Sequence, residues 1–589
     1  MGEQPDVAEE AVEPDEVGPD QSSDQDTIGD KLRSGRRFSR FGWQYPAPWI
    51  KAGDVVDGGI NSVRERLRPL IEAWRGDTLL RVTTPVVLTV IVALLYGFYM
   101  GNAVWLRHEH FATFDYDLGM YDQGIWQLAH GRGFMTVRGM HVFGHHANLG
   151  YLLLVPFYWI GIGGPQFLNI VNLAGVLAVS VPIFALARRH LQSGWIGLGL
   201  VVAYLFHFSP QWKIQETFHA ESIAAPAVVG AFYFASIGKA KHYWACIAFA
   251  LIWKEDVALA TAMCGLAVAL CFGHWRRGLT TFAVSMVWFG LAVKWFLPHF
   301  SNHGAVFDNL FGALGANSTE LVTNALRHPP RLWRTLTCHG FIDGKLSAEN
   351  PPLPGVNCPT TVLPQDPNAG PLGLVSLAKP YGYVTTAMSP APVLLGTPQH
   401  VVNSATLANF TWDLRWHYGF FPYLGVLLAS VRAVITRTRI LTAVALTMVM
   451  VVGVYIDREE GVGPWTENYS VGNFALDRLA IHDAYADALQ LVGPDDVVSA
   501  NYQFVPHLSH RQEIYTFPNP WISSNYGVGG QPAPPDPKRV DWLIVIPADL
   551  NQPASALLDS ILKSGEFEIR RTSRAPGGSL LVLERVGHK

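Results

Sequence analysis

The segment Val82–Val104 is an almost unbroken run of apolar residues, and it limits the possible folds more than any other feature of the chain. A helix needs about 20 apolar residues to cross the hydrocarbon core of a bilayer. Further apolar stretches follow, and charged residues make up only 15% of the chain, against about 25% in ordinary soluble domains. We therefore expect an α-helical polytopic membrane protein.

The spans after the first are shorter or carry polar interruptions. Residues 243–273 have basic residues at both ends and Lys254-Glu255-Asp256 in the middle, which predicts a short hairpin with this triplet in its turn. The piece Tyr151–Gly163 is too short to cross and contains Pro156, so we expect a re-entrant or interfacial helix at 146–163. In all we expect about nine spans, the others being 166–186, 195–209, 223–237, 280–297, 418–434 and 440–456.

Basic residues fix the expected orientation of these spans. They cluster at 31–40, 188–189, 239–241, 276–277 and 437–439, and these clusters fall on one side of the membrane only in the topology above. Because basic loops favour the cytoplasm, we expect a cytoplasmic N-terminus in a plasma-membrane protein. The loops 105–148 and 298–417 and the C-terminal part then lie together on the outer face.

Three segments lie outside the expected transmembrane domain, 82–456. Residues 1–57 begin with an acidic stretch that lacks Lys and Arg and continue into a basic one, which predicts a disordered cytoplasmic tail. Residues 58–81 could form an amphipathic juxtamembrane helix. Short apolar runs and a helical stretch predict an extracytoplasmic α/β domain at 457–589. A net charge of −4 argues against nucleic acid as a partner.

Polar residues that could carry chemistry gather in the segments expected on the outer face. A carboxylate there could deprotonate an acceptor hydroxyl, and Lys, His or a divalent ion could stabilise a phosphate leaving group. The same residues could instead cap a surface helix, form a solvated turn or neutralise one another. No cofactor is certain, although Mg²⁺ or Mn²⁺ would suit these groups. The candidates are Asp115, Asp117, Gln123, His145, Glu216, His219, Glu221, Lys254 and His417.

The first-loop motif FDYDLGMYDQGIWQLAHG, together with ETFHAESIAAP, WKEDVAL and HYGFFPYL, resembles a family of predicted bacterial membrane proteins of unknown function. That family is distantly similar to the GT-C superfamily of integral-membrane glycosyltransferases. The resemblance implies a polyprenyl-phosphate sugar donor and an essential acidic residue in the first external loop. It favours Asp117 in this role, with Asp115 as the alternative, and it places Lys254 near the donor phosphate.

Two functions therefore compete. The first is a GT-C-like glycosyltransferase that moves a sugar from a polyprenyl phosphate to an envelope glycan or lipid. The alternative is a non-catalytic lipid or glycolipid transporter or membrane scaffold, and membrane lipids are partners in both cases. For both functions, an unpaired charge at the external end of a membrane span is costly. We therefore expect Asp117, Glu216, His219 and Lys254 to converge in one outward-facing cavity.

The sequence also predicts a disulfide between Cys338 and Cys358. Both lie in the long loop expected outside the cytoplasm, where an oxidising compartment permits pairing. Closing this loop should stabilise the protein by about 3 kcal/mol in the chain-entropy model. Titration of free thiols before and after reduction of the unfolded protein tests the pairing. The chain has five cysteines, so we expect three free thiols before reduction and five after it. An unchanged thiol count would contradict the pairing.

Overall fold

A computed structural model of the protein describes residues 82–301 continuously, followed by shorter segments. The predicted tail 1–57, all but two positions of the span 440–456, and both Cys338 and Cys358 lie outside the described residues. The other described segments are five positions between 62 and 69, parts of 314–346, residues 377–378, 384–406, 411 and 416–436, parts of 453–469, and residues 474–528, 531–575 and 578–587.

Three helices in the described part of the chain are long and apolar enough to cross a membrane: Thr84–Glu109, Pro165–Leu191 and Trp275–Ser301. The first of them exposes Leu94 and Phe98 by 67% and 69%, although both side chains are large and apolar. Such residues are stable on a helix surface when lipid replaces water around them. The chain is therefore built as an integral membrane protein.

Other predicted spans form shorter helices. Gly194–Leu205 and Ala240–Leu251 have 12 residues each. At 1.5 Å per residue such a helix is about 18 Å long, less than the roughly 30 Å of a bilayer core. The predicted count of nine spans is thus not confirmed. The remaining helices of this bundle are Glu221–Ser236, Val257–Phe272 and Phe420–Thr436.

Two predicted local features agree with the structure. Lys254-Glu255-Asp256 lies in the turn between helices Ala240–Leu251 and Val257–Phe272, as the hairpin prediction requires. The region expected to be interfacial contains a 3₁₀ turn at Leu149–Leu153 and a short helix at Val155–Trp159. Neither is long enough to cross a bilayer core.

Small residues let the bundle helices approach closely. A Cβ added at Gly265 would lie 2.6 Å from the carbonyl oxygen of Gly278, on the next helix. A Cβ at Gly175 would lie 2.5 Å from the carbonyl oxygen of Ser222. Close backbone packing of this kind is typical of helices in membranes, where the hydrophobic effect does not drive helix association.

The C-terminal region contains a five-stranded sheet with helices Ala480–Leu489 and Gln552–Ser564, as the predicted α/β domain requires. Three neighbouring strands are parallel and buried, and the last two form an antiparallel hairpin. In spatial order the strands are Ile514–Thr516, Val498–Ala500, Trp542–Val545, Gly578–Arg585 and Phe567–Ala575. We call this region the sheet domain.

The first loop and the sheet domain are joined by hydrogen bonds. Gln123 donates to the Thr136 hydroxyl (2.8 Å), and this hydroxyl donates to the carbonyl of Ile514 (2.8 Å) and accepts from its N–H (2.9 Å). The Thr136 hydroxyl thus attaches the first loop to the edge strand of the sheet.

A buried carboxylate provides a second connection between them. Asp122, on the first-loop helix Met120–Ala129, is fully buried and accepts hydrogen bonds from Tyr158 (2.6 Å) and Ser509 (2.5 Å). His510 of the sheet domain lies 3.0 Å from the same carboxylate. One side chain therefore joins the first loop, the interfacial helix and the sheet domain.

We predict that Asp122→Ala loosens the sheet domain. The substitution leaves the half-buried Tyr158 hydroxyl without its acceptor and removes one of the two acceptors of the Ser509 hydroxyl, which keeps the carbonyl of Pro506. A hydrogen bond to a charged group contributes about 1.5–3 kcal/mol. Limited proteolysis should release sheet-domain fragments faster than from the wild-type protein. Glu109→Gln, at an exposed position, serves as the control. Equal cleavage rates for Asp122→Ala and the wild type would contradict the prediction.

The contact with Asp122 should also depend on pH. Burial acts to lower the pKa of His510, but the charge of Asp122 and its hydrogen bond outweigh burial and raise the pKa above 6.5. The stabilisation is therefore full below about pH 6.5 and is lost as the pH rises through the raised pKa. Protease resistance of the sheet domain should fall over that range. His510→Gln should remove this part of the pH dependence, and an unchanged profile in that variant would exclude the explanation.

Candidate functional site

The turn that follows the first long helix directs two acidic residues to different places. Asp117 has φ 63° and ψ −77°, a backbone conformation that costs a residue other than glycine about 1–3 kcal/mol. The N–H of Gly119 donates to the carbonyl of Phe114 (3.2 Å) and closes the turn. Because of this sharp bend, the side chain of Asp117 faces the membrane bundle, whereas that of Asp115 faces the sheet domain.

Asp117 meets His219. The Nε2 atom of His219 lies 3.4 Å from the Asp117 carboxylate. The imidazole is 2% exposed, whereas the Asp117 side chain is 26% exposed. Asp117 can therefore contact a molecule from outside while His219 supports it from beneath.

An asparagine of the second long helix positions the segment that carries His219. The side chain of Asn172 donates to the carbonyl of Lys213 (3.0 Å) and accepts from the N–H of His219 (3.4 Å) and the hydroxyl of Ser222 (2.6 Å). One buried amide thus holds both ends of the turn between helices Phe208–Gln215 and Glu221–Ser236. This explains how an irregular segment is fixed inside the protein.

Glu216 and His417 complete the cluster. The Glu216 carboxylate accepts a hydrogen bond from the backbone N–H of His417 and contacts its imidazole Nδ1. The ring of His417 stacks on that of His219 with centroids 3.9 Å apart. We call Asp117, Glu216, His219 and His417 the acid–histidine cluster.

Three members of this cluster could hold a metal ion. One ligand atom each of Glu216, His219 and His417 lies within 4.8 Å of the others. Two imidazoles and one carboxylate are a donor set that suits Zn²⁺ or Mn²⁺ better than Mg²⁺, which prefers oxygen ligands. The sequence leaves Mg²⁺ and Mn²⁺ equally open, and these donors favour Mn²⁺.

The Lys254 ammonium lies in a network of carboxylates. It forms an ion pair with Glu221, which is 1% exposed, and its Nζ lies 3.3 Å from Asp256. The neighbouring Glu255 accepts from His146 (2.8 Å) and from the N–H of Ala147 (3.0 Å), which attaches the hairpin turn to the first loop. The Lys254 turn is thus fixed on both sides.

Sequence reasoning did not identify Lys213, although it lies only three residues before Glu216. It is fully buried, and its ammonium has no hydrogen-bond partner among the described residues. The charges of Glu221 and Glu216 act on it. The sequence feature that could have identified Lys213 is its position in a polar segment between two apolar helices. Its burial could not be seen in the sequence.

Burial and neighbouring charges shift the titration of these groups. Burial acts to raise the pKa of Asp117, but the charge and hydrogen bond of His219 outweigh it and hold the pKa below its usual range. Burial acts to lower the pKa of Lys254, but Asp256 and Glu221 hold it well above its usual range. Burial lowers the pKa of His417 to about 4. Its imidazole is therefore neutral at pH 7, the form that binds metals.

The structure brings some predicted residues together and separates others. Asp117, Glu216 and His219 meet, and Lys254 is joined to them through Glu221, which interacts electrostatically with Lys254, His417 and His219. His145 is buried beside this region, with its ring 4.4 Å from that of His146. The functional roles assigned to these residues from the sequence stay predictions.

Asp115 and Gln123 lie elsewhere. Asp115 accepts a hydrogen bond from Thr516 of the sheet domain (2.6 Å). The side chain of Gln123 donates to Thr136 (2.8 Å) and accepts from the N–H of Val137 (3.1 Å). Both residues therefore connect the first loop internally or to the sheet domain, and neither is part of the acid–histidine cluster.

Two solved structures with low similarity align along most of this chain. ArnT from Cupriavidus metallidurans, in a crystal structure bound to undecaprenyl phosphate, is 15% identical, with 86% of this chain and 99% of that chain covered and a TM-score of 0.44. The oligosaccharyltransferase of Archaeoglobus fulgidus, in complex with Zn and sulfate, is 12% identical, with 84% and 72% covered and a TM-score of 0.34.

The family itself is identified by sequence. No curated protein matches the chain significantly. The family model described as "Predicted membrane protein (DUF2079)" matches residues 107–341 and 368–572, which include the whole acid–histidine cluster and most of the sheet domain. The family resemblance read from the first-loop motif is thereby confirmed, and the chain belongs to this family of predicted membrane proteins.

Proposed function

We propose that this protein transfers a sugar from a polyprenyl-phosphate donor to an envelope glycan or lipid at the outer face of the cytoplasmic membrane. The observation that carries the proposal is the meeting of Asp117, Glu216 and His219 beside the Lys254 network. Carboxylates and cations at one membrane-proximal site provide both a base for an acceptor hydroxyl and positive charge for a phosphate leaving group.

Asp117 acts as the general base in this proposal. It is the most exposed side chain of the acid–histidine cluster, at 26%, against 7% for Glu216 and 2% for His219. The acceptor hydroxyl gives its proton to the Asp117 carboxylate while its oxygen bonds to the anomeric carbon. The bond between that carbon and the phosphate oxygen breaks, and polyprenyl phosphate leaves with the bonding electrons.

Lys254 and Lys213 supply positive charge for the departing phosphate. Lys254 is held by Glu221 and Asp256, so its position is fixed before the donor arrives. Lys213 is buried, and its ammonium has no hydrogen-bond partner among the described residues. An approaching phosphate would compensate a charge that is costly to bury alone.

Glu216, His219 and His417 would hold a divalent ion, of which Mn²⁺ or Zn²⁺ fits best. When bound, such an ion supplies Lewis-acid stabilisation of negative charge on phosphate. His417 is fixed for this role by the backbone N–H that it donates to Glu216. Asn172 holds the backbone N–H of His219, so this contact does not depend on whether the imidazole binds Asp117 or a metal ion.

We predict that Asp117→Asn lowers sugar transfer by about 10²–10⁴-fold, the usual contribution of a general base. Asparagine keeps the size of the side chain, so lipid binding should persist. The measurement is transfer of a radiolabelled sugar from polyprenyl-phosphate donors in membranes that contain the purified protein, together with mass spectrometry of the co-purifying lipid. Glu109→Gln, on the exposed end of the first long helix, should behave as the wild type.

The alternative function gives the opposite result. A lipid transporter or scaffold would tolerate Asp117→Asn and would show no donor-dependent transfer in the wild-type protein. Co-purification of ordinary phospholipid alone, without polyprenyl phosphate, would also count against the enzyme.

We predict that the purified protein binds about one Mn²⁺ or Zn²⁺ and that His417→Gln removes it. Loss of one of three protein ligands should weaken the affinity at least tenfold, because even outer-shell changes cost 10–100-fold in metal sites. Elemental analysis after dialysis against each metal provides the measurement. His130→Gln, an exposed histidine of the first loop, is the matched control. Equal metal content in wild type and His417→Gln would exclude this site.

A further inference from the structure

A cavity separate from the acid–histidine cluster lies between the first loop and the sheet domain. Its volume is only about 50 Å³, and it opens to solvent, so a ligand larger than a few waters would lie partly in its mouth. Asp115, Tyr116 and Arg138 line it from the first loop, and Thr516, Asn519 and Ser524 line it from the sheet domain. The wall is partly polar and partly apolar, and it presents one guanidinium and one carboxyl group.

Arg138 has no counter-ion among the described residues. Its side chain is only 9% exposed, and neither Nε nor Nη1 has a hydrogen-bond partner in that part of the chain. The guanidinium lies over the Tyr116 ring, 5.6 Å from its centroid. A buried guanidinium is normally paired, because an uncompensated charge is costly away from water. The guanidinium is thus placed where it could pair with an anion that enters the cavity.

Contacts between the first loop and the sheet domain fix the position of Arg138. Its carbonyl accepts a hydrogen bond from the N–H of Gly527 in the sheet domain (2.8 Å). The next residue, Gly139, has φ +67°, and a Cβ there would lie 2.3 Å from the Tyr526 ring. Only glycine fits both this conformation and this contact. The arginine is therefore fixed before any ligand arrives, which favours tight binding.

The rest of the cavity suits hydroxyl groups. The Asp115 carboxyl accepts from Thr516 (2.6 Å) and has lone pairs left for other donors. The Tyr116 ring is 44% exposed and presents an aromatic face beside the guanidinium. A bare inorganic anion would use Arg138 and be repelled by Asp115. A sugar that carries an acidic group would use both residues.

We propose that this cavity binds an anionic saccharide unit, whose carboxylate or phosphate pairs with Arg138 and whose hydroxyls donate to Asp115. The planar guanidinium offers the two parallel N–H groups that such anions accept. Asp115 is two residues from Asp117, so their Cα atoms are at most about 7 Å apart. This last step rests on the proposed transferase function: the bound saccharide is then the acceptor, and it reaches Asp117 from this side.

Binding of small probes to the full chain in nanodiscs tests the proposal. The probes are glucuronate, glucose 6-phosphate, neutral glucose and inorganic phosphate, measured by saturation-transfer NMR and calorimetry. We expect glucuronate or glucose 6-phosphate to bind at least about tenfold more tightly than glucose, since hydrogen bonds to charged groups contribute about 1.5–3 kcal/mol. Glucose binding as tightly as both acidic sugars would overturn the proposal. Inorganic phosphate binding as tightly as glucose 6-phosphate would also overturn it.

Two sets of variants locate the site. Arg138→Gln should abolish the preference for acidic sugars. Because that change could disturb the interface, the exposed Ser524 at the cavity offers a milder test. Ser524→Glu should bind the acidic sugars about tenfold more weakly than Ser524→Gln, because the two side chains have the same size and only glutamate repels an anion. Equal affinities in Ser524→Glu and Ser524→Gln would show that the anion binds elsewhere.

Asp117→Asn separates this proposal from the transferase function. It should leave binding of acidic sugars unchanged. Binding by the cavity together with undiminished transfer in Asp117→Asn would refute the catalytic role alone. Loss of transfer in that variant without any binding of acidic sugars would refute the saccharide site alone.

Discussion

The need to neutralise buried charge organises the described part of this protein. Lys254 is paired with Glu221 and Asp256, while Glu216 and Glu255 are held by hydrogen bonds to His417 and His146. A charge left alone at this depth would cost several kcal/mol, so each helix end must lie where its partner is. These pairs join the hairpin turn, the first loop and the helix that begins at Phe420. The same requirement that fixes the packing also concentrates reactive groups at one place.

The first loop connects the bundle to the sheet domain and carries both candidate sites. Asp122 joins it to the interfacial helix and the sheet domain, and the Thr136 hydroxyl binds the edge strand. Between these contacts, Asp117 turns toward the bundle and Asp115 toward the sheet domain. The strained backbone at Asp117 separates two carboxyl groups that are almost adjacent in the chain.

Much of the architecture follows from the sequence because it depends on local pattern. The run Val82–Val104 predicts the first long helix, and the polar triplet at Lys254 predicts the hairpin turn. The short strands of the C-terminal domain are visible as apolar runs. The number of spans does not follow, because several apolar segments form helices too short for a bilayer. Apolar composition indicates burial, but does not distinguish burial in lipid from burial in protein.

The sequence by itself determined that the chain enters a membrane, which segments are polar, and that acidic, histidine and lysine residues occur at helix ends. Only the tertiary structure decided which of them meet. Asp115 and Asp117 are the same residue type two positions apart, and the backbone turn between them gives them different partners, Thr516 and His219. Lys213 and Arg138 matter because they are buried without partners among the described residues. Such properties depend on what surrounds a side chain in space, and residues distant in sequence supply those surroundings.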